Sequence, residues 1–114
     1  EEDVRKFGNL TGDLNPLHFD DDFAKSKGFD RKIAHGIILN SYLTKYFGME
    51  YPGAGTIFMN YSYQFYKPIY TNKKYSFEVS FPVINSNGFH LAIVKVFDEQ
   101  EKLCLISYNQ LIKN

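Results

Sequence analysis

The apolar residues of this chain change their spacing once, and that change limits the fold more than any other feature. Up to Pro52-Gly53 they recur at helical or irregular intervals; beyond it they alternate with period two. A helical spacing buries a stripe and an alternating one buries the face of a sheet. The predicted class is therefore α+β, with helices first and strands after. No repeat, low-complexity stretch or linker interrupts the 114 residues, so residues 1–114 are expected to form a single domain.

Before the break, residues 2–9 read as a short helix with Val4 and Phe7 on one face. Thr11-Gly12-Asp13-Leu14-Asn15-Pro16 reads as loop, because the proline drives Asn15 away from helical geometry. Asp20, Asp21 and Asp22 open a second short helix containing Phe23 and Ala24, with Gly28 as its stop. From Ile33 to Phe47 apolar residues cover more than one face, which predicts a helix buried on several sides and closed by Gly48. Four strands are predicted after the break, over 56–66, 74–83, 89–97 and 103–112. In the first, Ile57, Met59, Tyr61, Tyr63 and Phe65 should share a face. Short connections predict antiparallel neighbours in a meander, with the buried helix lying across it.

Thirteen Lys and Arg balance thirteen Asp and Glu. A nucleic-acid binder that works by counterion release needs clustered positive charge, so this balance speaks against nucleic acid as a partner. Cys104 is the lone cysteine and cannot form an internal disulfide, which favours a reducing compartment. No apolar run has the length of a membrane span, and the acidic start lacks signal-peptide grammar. The expectation is a cytoplasmic protein without a membrane partner.

Two places could carry chemistry. Asp13 and His18 flank the bend at Asn15-Pro16, where a carboxylate and an imidazole could share a water as an acid–base pair. Spacing alone equally allows a turn-capping aspartate and an ordinary polar histidine, the commoner outcome. His35-Gly36 stands at the start of the buried helix, whose free N–H groups attract negative charge; Gly36 would let a ligand carbonyl approach them. The alternative is a glycine that permits tight packing. A metal held by Asp13, His18, Asp20 and His35 is set aside, because the set lacks the helical spacing of metal motifs. Gly53-Ala54-Gly55 lacks the context of a phosphate loop, and no activated Ser or Cys nucleophile stands out.

The run from Phe7 to His18, Phe-Gly-Asn-Leu-Thr-Gly-Asp-Leu-Asn-Pro-Leu-His, with Ala24 after it, resembles the hydratase-2 motif of MaoC-like (R)-specific enoyl-CoA hydratases. Ile33-Ala34-His35-Gly36-Ile37-Ile38, Pro52-Gly53-Ala54-Gly55-Thr56-Ile57 and Phe65-Tyr66-Lys67-Pro68-Ile69 are similar to further family segments, in the family's order. The resemblance implies a hot-dog fold, an antiparallel sheet wrapped around a long central helix. It implies a homodimer and an acyl thioester of coenzyme A or acyl carrier protein as substrate, with no separate cofactor. Carried over by position, Asp13 and His18 would be the catalytic pair, the Gly36 N–H would hold the thioester oxygen, and Asn15 and Thr44 would be polar supports.

Two departures accompany the match. The family usually starts with a strand, and this chain starts within the first helix, so that strand is expected to be absent. Tyr70-Thr71-Asn72-Lys73 stands where the family often has Gly-Asp. Two other functions compete: a thioesterase on the same fold, and a non-catalytic module whose aromatic strand faces bind a ligand or nucleic acid, with Tyr61, Tyr63 and Phe65 stacking bases.

Overall fold

A computed structural model describes all 114 residues. Two compact units are distinguished within it, residues 1–40 with 68–73 and residues 41–67 with 74–114.

In the first unit, helix α1 runs Glu2–Thr11, with Glu2 and Asp3 in its positive first turn. Gly12 ends it in the left-handed conformation at φ 78°, its N–H on the Gly8 carbonyl at 2.8 Å. The loop contains a 3-10 turn, Pro16–His18, that the spacing did not reveal; the Asn15 side chain caps it by accepting from the Leu17 N–H. Helix α2, Asp21–Ser26, starts as predicted, with the Asp20 carboxylate accepting from the Phe23 N–H at 3.0 Å.

The helix predicted from Ile33 begins later, as α3 at Ile38–Lys45. Residues 33 and 34 are extended because their N–H groups serve other partners. Ile33 donates to the Leu17 carbonyl and Ala34 to that of Ile69, and Ile33 bridges Tyr70. Segment 68–73 is also held by Arg31, which donates to the Thr71 hydroxyl and carbonyl.

In the second unit, α3 continues into a π-helical turn, Tyr46–Glu50, so Gly48 lies inside the turn instead of closing the helix. The strands are β1 (Ile57–Phe65), β2 (Ser76–Ile84), β3 (Phe89–Phe97) and β4 (Leu103–Ile112). All pairs are antiparallel, in the order β1-β4-β3-β2. The predicted meander therefore holds only for β2 to β4. β1 pairs with β4, because the chain leaves the sheet through 68–73 and cannot turn directly from β1 into β2.

A bulge also corrects the predicted face of β1. Phe58 stands opposite Leu111 and Asn60 opposite Gln110, so Met59 is the extra residue and the alternation shifts across it. Phe58, rather than Ile57 and Met59, joins Tyr61, Tyr63 and Phe65 in a row of rings 5.5–6.2 Å apart. The core of this unit is the inner face of β3 and β4, where Ala92, Val94, Val96, Leu105 and Leu111 are buried. Phe47 lies over it, fully enclosed, with its ring 5.8 Å from Phe58 and 6.2 Å from Phe81. Burying such a side chain contributes ~1.5–3 kcal/mol. Three polar residues share the core: Asn109 donates to the Ser107 hydroxyl at 2.8 Å and to the Ala92 carbonyl, and His90 has Nδ1 2.8 Å from the Gly88 carbonyl. No helix is long and apolar enough to cross a membrane.

Candidate active site

The candidate site is assembled within the first unit by the loop that follows α1. The Thr11 hydroxyl donates to the Phe7 carbonyl at 2.8 Å and accepts the Asp13 N–H at 3.2 Å. The Asp13 carboxylate in turn accepts the Asn15 N–H at 3.2 Å, and the Asn15 carbonyl accepts that of His18 at 3.0 Å. This chain of local bonds bends the backbone sharply between the two candidate residues. Asn15 thus serves the loop's own backbone.

His18 presents one ring nitrogen to a backbone acceptor, Nδ1 lying 2.8 Å from the Ile33 carbonyl. A carbonyl only accepts, so Nδ1 carries a proton and, of the two neutral tautomers, the contact selects the one with a lone pair on Nε2. The Asp13 side chain is half exposed. His18 also lines a pocket of about 270 Å³ with Phe19, Val4, Thr71 and the charged Glu1, Glu2, Arg5 and Lys32.

A third side chain, singled out in the sequence only as the neighbour of Gly36 and in the metal set laid aside, joins the pair. His35 is buried, 2% exposed, with Nε2 3.0 Å from the Asp13 carbonyl and 3.8 Å from its carboxylate. Its ring lies against that of His18, the centroids 3.8 Å apart and the planes tilted by 30°. The bond from His35 to Asp13 spans twenty-two positions, and no periodicity or local motif marks such a contact.

Gly8 was likewise visible only as a motif letter. A Cβ there would stand 2.7 Å from Phe19 Cζ and 3.2 Å from the Asp13 carbonyl oxygen, so the missing side chain is what lets α1 meet the loop. Gly36 falls in the turn before α3. That turn is closed by the Ile38 N–H on the His35 carbonyl and the Leu39 N–H on the Gly36 carbonyl, which leaves the Gly36 N–H unused by it. Thr44 belongs to the second unit, where its hydroxyl donates to the Ser41 carbonyl at 2.7 Å.

The model of a family described as the MaoC like domain matches residues 1–95. The chain belongs to the MaoC-like domain family. The (R)-specific enoyl-CoA hydratase of Aeromonas caviae is 36% identical to it over 77 residues, 68% of this chain and 58% of that protein. The mitochondrial 3-hydroxyacyl-[acyl-carrier-protein] dehydratase of Arabidopsis thaliana is 32% identical over 69 residues, 60% of this chain and 40% of that protein. This MaoC-like chain spans about half the length of the curated relatives it matches. The solved (R)-hydratase from A. caviae involved in PHA biosynthesis superposes with a TM-score of 0.88 at 27% identity, over 97% of this chain and 85% of that one. The unliganded R-hydratase PhaJ1 from Pseudomonas aeruginosa shares the fold at a TM-score of 0.86 and 22% identity, over 97% of this chain and 72% of that one. The fold of the MaoC-like chain is the expected hot-dog.

The site of this MaoC-like chain also answers the metal question differently from its spacing. Asp13, His18 and His35 each bring a donor atom to within 4.8 Å of the others. Helical spacing says nothing about donors that converge through tertiary contacts. One nitrogen of each imidazole is already committed to a backbone carbonyl, however, which limits the donors left for an ion.

Proposed function

We propose that this chain adds water across the 2,3-double bond of a 2-enoyl thioester, or removes it in the reverse direction, with an (R)-3-hydroxyacyl thioester as the hydrated partner. The observation that carries this reading is the convergence of the Asp13 carboxylate and the His18 imidazole on one small volume, with His18 facing a pocket. The substrate is the thioester of coenzyme A or acyl carrier protein, and no further cofactor takes part. The lone, buried Cys104 fits a reducing compartment such as the cytoplasm.

In this reading the Gly36 N–H receives the thioester oxygen. Withdrawing electron density through the carbonyl makes the β-carbon electrophilic, and the enolate-like charge develops where that N–H waits. Asp13 and His18 hold the water between them and take one proton as its oxygen bonds to the β-carbon. The pair returns a proton to the α-carbon, so that one whole water has been added. Asn15 holds the loop that carries both residues, and Thr44 is assigned a polar supporting role by its motif position.

A homodimer completes the proposal. Ile57 and Met59 on edge strand β1 are 60% and 63% exposed, apolar surface that a second copy would cover. Ile57→Lys should shift the particle from dimer to monomer in light scattering; an unchanged dimer would move the interface elsewhere.

The deciding test is hydration of a panel of 2-enoyl thioesters, followed by loss of the conjugated chromophore and by chiral analysis of the product. Asp13→Asn and His18→Ala should each lower turnover by at least ~100-fold in protein that stays folded. Near-normal turnover in either variant would remove that residue from the mechanism. Release of free thiol with the double bond retained would mark a thioesterase, and an (S)-configured product would contradict the stereochemistry.

A further inference from the structure

We propose that His35 is a positioning residue that sets Asp13, His18 and Gly36 in register with one another, an inference that rests on the hydration reading above. Its ring makes two kinds of contact at once. Nε2 is 3.0 Å from the Asp13 carbonyl, which can only accept, so Nε2 bears the proton and fixes the backbone from which the carboxylate projects. The face of the same ring lies 3.8 Å from His18, limiting the plane in which that imidazole can turn. Phe7 at 4.9 Å and Phe19 at 5.8 Å hold His35 itself in place. Its own carbonyl closes the turn into α3, and the next residue is Gly36. One rigid side chain thereby refers the acid–base pair and the oxyanion donor to a common frame. Reaction rates depend steeply on such registration, because a misplacement of about 1 Å can cost ~100-fold.

A second observation separates this role from simple space filling. Nδ1 of His35 is buried with no hydrogen-bond partner. A phenyl or isobutyl side chain would fill the volume without burying a bare acceptor, which carries a desolvation penalty. The imidazole is the side chain that supplies both the ring face and the Nε2 proton. The chain thus retains a buried orphan on one edge of the ring together with the bond on the other.

The test separates donor from ring. His35→Phe keeps a flat ring and removes the proton; His35→Gln places an amide N–H near the position of Nε2. With rates normalised to folded protein by circular dichroism, His35→Phe should lower kcat by ~10–100-fold while KM stays within about twofold. His35→Gln should recover about tenfold of that loss. In the wild-type protein, 15N-resolved imidazole spectra should show the Nε2–H tautomer for His35 and the Nδ1–H tautomer for His18. The proposal is overturned if His35→Phe keeps kcat within twofold, if His35→Gln does no better than His35→Phe, or if His35 is the other tautomer. Should the wild-type protein hydrate no thioester, the hydration reading fails on its own. The tautomers, and the displacement of the His18 ring signals in His35→Phe, still decide whether His35 orders the pair. Should His35→Phe not fold, His35→Gln and the wild-type tautomers carry the test.

Discussion

A single methyl group at position 8 would reach the centre of the candidate site. It would crowd the Phe19 ring, the Asp13 carbonyl and Leu14 Cδ2 together. Alanine is the better helix former by ~1 kcal/mol, but overpacking of this kind costs ~1–3 kcal/mol. Gly8→Ala should therefore change stability by no more than ~2 kcal/mol, measured by chemical denaturation, yet reduce hydration well beyond that through displacement of Phe19 and the Asp13 loop. A variant with full activity would show that the loop adjusts freely. At this scale the sequence marked Asp13 and His18 as candidates because they sit within a dense local motif, and the structure brings their side chains together. The sequence concealed where the His35 ring sits, since a side chain that bonds a carbonyl twenty-two positions away leaves no mark in spacing. The separation of donors that set a metal aside was equally uninformative about where they meet.

Local chemistry predicts elements well and their neighbours poorly. The Asp20 cap of α2 was readable, and its loss is measurable. Asp20→Ala should lower stability by ~1 kcal/mol in denaturant unfolding, whereas Asp20→Asn, which still accepts the Phe23 N–H, should lose little. Strands β3 and β4 fall where alternation put them, and β1 and β2 within two residues of it. The start of α3 was missed because the N–H groups of Ile33 and Ala34 go to distant carbonyls. The face of β1 departs from simple alternation at Met59 because a bulge breaks period two without altering composition. Phe47, the ring that α3's π-helical extension sets against both edge strands, was seen only as one apolar letter among many. Phe47→Ala should cost ~3–5 kcal/mol, and a loss below 1 kcal/mol would mean that the sheet does not depend on it.

Across the whole molecule, three carboxylates are held below their ordinary range. Glu1 is lowered by the Lys32 ammonium that hydrogen-bonds it, Asp21 by the Lys32 backbone N–H, and Asp98 chiefly by the Lys102 N–H in the turn before β4. A depressed folded-state value means that these groups stabilise the fold above the unfolded carboxylate range of about 4, and that the gain disappears as pH falls through the folded values. The melting temperature should therefore decline once pH drops below about 4, and Lys32→Met should remove the part due to Glu1 while leaving the parts due to Asp98 and to the backbone N–H on Asp21. A melting temperature independent of pH between 5 and 3 would contradict this. The Cys104 thiol, pushed up by burial, stays protonated across the same range. Strand order, by contrast with strand position, was not legible, since alternation does not name a partner.

That order governs how the protein is made. β1 has β4 as its only neighbour in this four-stranded sheet, and β4 is the last of the four to be synthesised. A ribosome-bound chain that has exposed everything through β3 still holds an aromatic first strand with nothing to pair with. The sheet can close only after residues 103–112 have left the exit tunnel. Until then the nascent chain is a natural client for the chaperones that shield exposed strands.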